Sequence, residues 1–206
     1  MESNKTSGSL TRQSLLALIW TSFGIAFLFV VLRTAIRFRI ASKLATEDYW
    51  IFLALATLLT NSVLQTIQLP SLYYMSAIIT GEIEPSATSE LIDVGDEYLR
   101  YEFVIIGLFW TVLWCVKASF LAVYFKLFRD VSRYRIAWYI LAGFTFCGYV
   151  GCWITAINSC RPIGSFFQFA GCETPQDVWA SRMSVYYSTV VDIFTDLCSK
   201  CACKMA

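Results

Sequence analysis

One apolar segment, residues 103–124, limits what this chain can fold into more than any other feature. Its 22 residues contain a single charged side chain, Lys117. A run of that length crosses a bilayer as an α-helix. A basic block follows it directly, and such blocks belong on the cytoplasmic side; its members are Lys126, Arg129, Arg133 and Arg135. The segment predicts a membrane-spanning helix that ends inside the cell and carries one ionisable group within the hydrocarbon.

The composition extends this prediction to the whole chain. Of the 206 residues, 57% are hydrophobic and only 15% are charged, whereas a soluble domain has about 25% charged residues. The net charge of +1 gives no support for nucleic-acid binding, and the chain has no histidine. The lack of histidine argues against His-dependent hydrolases and proteases and against His-ligated metal sites. We therefore expect a polytopic membrane protein that is not an enzyme and has no metal or cofactor.

The expected fold is an all-α transmembrane helix bundle that forms a single membrane domain over residues 1–206. Five spans are predicted, at about 14–32, 50–69, 103–124, 136–159 and 183–203. Pro70 should end or kink the second span, and residues 71–100 should form a long acidic outer loop. The fifth span contains Asp192, Asp196 and Lys200, so it needs polar partners to insert stably.

The distribution of basic residues predicts the topology. The two expected inner loops, 33–48 and 125–135, hold eight Lys or Arg residues, and the two expected outer loops, 70–100 and 160–182, hold three. By the positive-inside rule the N-terminus lies outside. Asn4 begins an Asn-x-Thr sequon, which is a candidate glycosylation site if the N-terminus is indeed outside.

Two further features concern contacts between elements. Small residues recur at fourfold spacing in the fourth span, in the ridges Gly143-Cys147-Gly151-Thr155 and Gly148-Cys152-Ala156, which is typical of close helix packing in lipid.

Cys160 and Cys172 fall in one expected outer loop, where the environment is oxidising. We expect these two cysteines to form a disulfide; the alternative is two free thiols.

Lys117 is predicted to form a buried ion pair. It lies 14 residues after Phe103, and Asp196 lies 13 residues after Met183, so both should sit about 20 Å below the outer ends of their helices. Asp192 is the second choice of partner. Trp114 and Tyr124 would help to form the wall of an intramembrane polar pocket, with a cation–π contact from Trp114. The alternative is that Lys117 extends to the inner headgroups and pairs with nothing.

Several short motifs, taken in order, resemble the fungal rhodopsin-domain integral membrane proteins, which include satratoxin-cluster-type and appressorium receptor-like proteins. The matching residues are Arg33 and Arg37, Glu47-Asp48-Tyr49, Lys117 to Leu121 with Tyr124 and Leu127-Phe128, Cys160-x-Pro162 with Cys172, and Thr195-Asp196. The resemblance covers roughly residues 14–197. It implies a seven-span architecture, and because similarity ends at Leu197 it also predicts a chain shortened after the fifth span.

The chain departs from the family pattern at two positions. Phe167 stands where Trp is usual, and Asp192 stands where Asn is usual. Retinal is not expected, because opsins hold it on a lysine in the last span and Lys117 lies in the third.

The resemblance implies a receptor-like role in sensing, secondary metabolism or surface response. The location would be the plasma membrane, with an unknown ligand and a membrane or cytoplasmic signalling partner. Intramembrane charge gives some support to a second hypothesis, a small transporter or channel, and a non-functional truncated fragment is a further alternative.

Overall fold

The computed structural model describes residues 11–41, 46–81, 83, 88–128, 132–160, 163–169, 171–172 and 174–204. Its five α-helices are α1 (Arg12–Ala41), α2 (Thr46–Ile79), α3 (Thr88–Phe128), α4 (Ser132–Ile157) and α5 (Pro175–Lys204). A 3₁₀ helix, Ile163–Phe167, lies between α4 and α5, and no described residue belongs to a strand. The predicted all-α helix bundle is therefore confirmed.

Four of the helices, α1 to α4, are long and apolar enough to cross a membrane. α5 has 30 residues, which is sufficient length, but it is not one of these four. Its charged residues, Asp192, Asp196 and Lys200 among them, lower its apolar character. That α5 forms a fifth span remains a prediction.

The helix α2 does not end at Pro70, as the sequence suggested, but continues to Ile79. Gln68 donates a hydrogen bond of 2.8 Å to Glu102 on α3, so a tertiary contact supports the helix beside the proline. The end comes instead at Gly81, whose φ of 73° is the left-handed conformation that commonly closes a helix. Proline is tolerated inside a membrane helix when neighbouring helices stabilise the backbone around it.

The predicted outer loop of residues 71–100 was also wrong over most of its length. The second helix occupies its first part, and α3 already begins at Thr88. Acidic residues such as Glu90 lie in the first turns of α3, where the helix dipole favours negative charge. Hydropathy marks where a helix leaves the hydrocarbon, and these two helices extend beyond that point.

α3 occupies the centre of the bundle. α2 packs most extensively against it, α1 packs against α2, and α4 lies between α3 and α5. Trp114, Ser119 and Leu121 of α3 are buried, while Phe109 and Phe120 on the same helix are exposed. Exposed apolar side chains on membrane-spanning helices face lipid, and the buried face of α3 can connect polar groups at different depths.

Candidate functional site

The ammonium group of Lys117 lies at the centre of a polar cluster between α3 and α5. Its Nζ is 2.7 Å from Asp192 Oδ1 and 2.9 Å from Asp196 Oδ1. It also donates hydrogen bonds to Thr195 Oγ1 at 2.6 Å and to the backbone carbonyl oxygen of Asp192 at 2.8 Å. The ammonium group of Lys117 thus contacts three polar residues that lie on one face of α5.

Helical spacing explains why α5 can surround the lysine. Asp192, Thr195 and Asp196 are three and four residues apart, which places them on one helix face. The hydroxyl of Thr195 accepts the bond from Lys117 and lies 2.8 Å from the carbonyl oxygen of Val191, to which it donates. Thr195 is only 1% exposed, so this hydroxyl is a fixed acceptor inside the bundle.

The three charged side chains of this cluster differ in exposure, and their formal charges do not cancel. The side chain of Lys117 is 12% exposed, that of Asp192 is 34% exposed and that of Asp196 is 55% exposed. Two carboxylates face one ammonium group, so the cluster carries a formal excess of one negative charge when all three groups are ionised. Trp114 adds a cation–π contact, with the ring centroid 5.3 Å from Lys117 Nζ.

The structure therefore brings together four of the five residues named for the intramembrane pocket: Lys117, Asp192, Asp196 and Trp114. Tyr124 lies seven residues after Lys117 on α3, which is about 10 Å along the helix axis. That these residues serve as a functional pocket is still a prediction.

At one end of the bundle, Cys160 and Cys172 form the predicted disulfide, with a Cα–Cα distance of 5.8 Å. The segment that this bond closes contacts α3. The backbone N–H of Phe169 donates to Asp96 Oδ1 at 2.6 Å, and the rings of Phe103 and Phe167 are 5.6 Å apart between centroids. The Phe that replaces the usual Trp thus packs on the start of the predicted third span.

A second charged cluster, at the opposite end of α3, was missed by the sequence analysis. Arg37 of α1 donates hydrogen bonds to Glu47 and to Asp48 of α2, the latter at 2.9 Å. Lys126 of α3 donates to Glu47 Oε1 at 2.9 Å, and Ser119 donates to the carbonyl oxygen of Glu47 at 3.0 Å. Since Glu47 and Asp48 are only 4% and 5% exposed, three helices converge on two buried carboxylates.

The sequence did contain a signal for this inner cluster. Arg33, Arg37 and the Glu47-Asp48 pair were noted as motif residues, but no contact between them was predicted. Adjacent carboxylates followed by an apolar span need cationic partners if they are buried. The arginines that end the preceding span were the nearest candidates. Asn4, the candidate glycosylation site, lies outside the described residues.

No curated protein and no solved structure matches this chain. A family model does match, that of the fungal rhodopsin domain, over residues 32–200. The matched region contains both charged clusters and the disulfide. Together with the apolar helices, this match identifies a multi-pass membrane protein whose environment is the lipid bilayer. The chain belongs to the fungal rhodopsin domain family.

Proposed function

We propose that this protein is a receptor-like component of the plasma membrane without enzymatic activity. In this proposal α3 passes a change at the outer face to a signalling partner at the inner face. The observation that carries the proposal is that α3 makes polar contacts at three depths. Asp96 bonds to the disulfide-closed segment, Lys117 bonds to α5, and Lys126 bonds to Glu47.

The contact at the middle depth is suited to switching. Lys117 has two carboxylate partners one helical turn apart, Asp192 and Asp196. A small rotation or translation of α5 would break one of these two contacts while the other keeps the ammonium paired. Two packed arrangements of similar free energy are what a ligand needs in order to shift a population.

The two ends supply an input and an output. The outer segment is held by the Cys160–Cys172 disulfide and packs through Phe167 on Phe103, so a ligand bound there would press on α3 directly. The inner cluster ties α3 to α1 and α2 through Glu47. A displacement of α3 would therefore change the inner surface that a cytoplasmic partner meets.

The proposal is tested in fungal cells in which the gene is replaced by variants at matched surface levels. Lys117→Met should change the transcript levels of secondary-metabolism and surface-response genes, because the lock between α3 and α5 is lost. Lys117→Arg, which keeps the cation, should behave like the wild type. A Lys117→Met profile identical to that of the wild type would overturn the proposal.

A transporter or channel is the second candidate, and the half-exposed carboxylate of Asp196 favours it, because intramembrane acidic groups often mark ion pathways. Flux assays with purified protein in liposomes separate the two functions. The receptor-like protein should conduct no ion above empty liposomes. Saturable cation flux that Asp196→Asn abolishes would assign transport instead. Failure of both wild type and variants to reach the cell surface would support a non-functional fragment.

A further inference from the structure

A hollow of about 480 Å³ lies between α2, α3 and α4 near the inner ends of the helices. Its depth comes from three small side chains, Ala118 and Ala122 on α3 and Ala142 on α4. The alanines on α3 are four residues apart and so lie on one face. The volume falls within the roughly 300–1,000 Å³ of small-molecule sites.

Aromatic rings surround this hollow and hold its shape. The indole N–H of Trp138 donates to the carbonyl oxygen of Leu121 at 2.8 Å, which fixes α4 to α3. The rings of Trp138 and Phe125 lie 4.8 Å apart between centroids, and Trp50 closes the side formed by α2. The walls are apolar, and Trp50 and Phe125 are 39% and 37% exposed, so the hollow opens toward the surroundings of the bundle.

One cation lies at the edge of this apolar space. Lys126 lines the hollow, and its side chain is 50% exposed even though it is bonded to Glu47. Among the residues that the structure describes, the inner cluster contains three cations, Arg33, Arg37 and Lys126, against the two carboxylates of Glu47 and Asp48. It therefore keeps a formal excess of one positive charge next to the hollow.

A further basic residue extends the positive edge along α4. Arg135 is exposed and lies three residues before Trp138, on the same helix face. An apolar hollow open to lipid, with cations at its headgroup end, is complementary to an amphiphile that has an acyl chain and an anionic head.

We propose that this hollow binds one acyl chain of an anionic phospholipid of the inner leaflet, with the headgroup paired to Lys126. The chain packs over the three alanines between Trp50 and Trp138. The headgroup and Glu47 both contact Lys126, while Arg37 continues to neutralise the charge of Glu47. The bound lipid would stabilise the packing of α3 against α4 at the end of the bundle where the inner charged cluster lies.

The test uses the full chain purified in detergent and titrated with phosphatidylserine or phosphatidylcholine of identical acyl chains. Native mass spectrometry measures how much lipid remains bound. Lipids brominated near the headgroup give a second readout, because bromine quenches the fluorescence of nearby tryptophans. Phosphatidylserine should bind at least about fivefold more tightly and quench more strongly, since one basic residue contributes that much attraction to an anionic lipid surface.

Substitutions inside the hollow and at its edge locate the site. Ala142→Phe fills the hollow and should abolish the preference and the additional quenching. Lys126→Gln should reduce the preference about fivefold, and Lys126→Arg should retain it. Changing both Trp50 and Trp138 to Phe should remove most of the quenching and leave binding in place, because both indole rings line the hollow. Ala122→Leu replaces Ala142→Phe if that variant does not fold.

Four results would overturn the proposal. The first is equal binding of the two lipids by the wild type, and the second is an unchanged preference in the folded cavity-filling variant. The third is quenching by brominated phosphatidylserine that persists when both Trp50 and Trp138 are changed to Phe. In the fourth, glycerophosphoserine, which has the headgroup without acyl chains, competes as well as the intact lipid, and the hollow then plays no part.

Discussion

Lys117 contacts Asp192 twice, through the carboxylate oxygen at 2.7 Å and through the backbone carbonyl oxygen at 2.8 Å. The second contact uses a main-chain atom that no side-chain substitution removes. The lysine also contacts Thr195 and Asp196. Side-chain substitutions on α5 can therefore remove three of these four interactions but not the one to the backbone carbonyl oxygen. This determines how the stability of the bundle should respond to each substitution.

Lys117→Leu should destabilise the bundle less than Asp192→Leu and Asp196→Leu combined. The double aspartate variant leaves a buried ammonium without carboxylates, which costs about 3–5 kcal/mol. Adding Lys117→Leu to it should recover part of that loss. Thermal unfolding in detergent measures the cycle, with the lipid-exposed Phe120→Leu as a control. Strictly additive losses would show that the three groups do not interact.

Glu47→Gln should lower the free energy of unfolding by roughly 1.5–3 kcal/mol, because hydrogen bonds to charged groups have that strength. The carboxylate is buried and bonds to cations of two other helices. The matched control is Glu90→Gln, an exposed acidic residue in the first turn of α3. Equal effects of the two changes, measured by denaturant unfolding, would argue against a structural role for the inner cluster.

Gly148→Ala should destabilise the contact between α4 and its neighbours by about 1–3 kcal/mol, as overpacking typically does. A Cβ atom at this position would lie 2.6 Å from Val191 Cγ1 and 2.9 Å from Trp114 Cη2. Gly143 is the control on the same helix, because a Cβ there meets nothing within 4 Å. Gly143→Ala should instead stabilise the helix by about 0.5–1 kcal/mol. The two melting temperatures should move in opposite directions.

Loss of the Cys160–Cys172 disulfide should cost about 3 kcal/mol in the chain-entropy model for a loop of this size. The sequence separation of the two cysteines is 12 residues. Mass spectrometry of unreduced peptides should find the two joined, and Cys160→Ser with Cys172→Ser should lower the melting temperature. Alkylation of both thiols in folded, unreduced protein would contradict the bond.

The topology prediction concerns which end of α3 faces the cytoplasm. The disulfide and the charged inner cluster lie at opposite ends of this helix, which fits an oxidising outer side and a basic inner side. In a background without reactive thiols, a cysteine at Ser89 should react with an impermeant reagent in intact cells. A cysteine at Ser42 should react only after permeabilisation. The reverse pattern would invert the assignment.

Much of this architecture follows from the sequence because it depends on local quantities. Apolar runs of bilayer length predicted the helices, and the constant rise of an α-helix placed Lys117 and Asp196 at one depth. Because each residue of an α-helix advances a fixed distance along the axis, counting residues along the chain predicts the depth of a side chain.

The end of a helix in water is not fixed by hydropathy, and so a helix end at Pro70, the first of the two outcomes predicted for this proline, was wrong. The continuation of α2 to Ile79 is associated with contacts to α3, among them the bond from Gln68 to Glu102. A pattern based on apolar residues does not report such polar contacts.

The sequence by itself determined the class of fold, the common level of Lys117 and Asp196 and the cysteine pair. Only the tertiary structure decided which side chains meet at each depth. It gave Lys117 both carboxylates and a main-chain oxygen, and it placed Glu47 between Arg37 and Lys126. The physical reason is that the rotation and tilt of each helix are set by its packing against neighbours. No periodicity within a single helix contains that information.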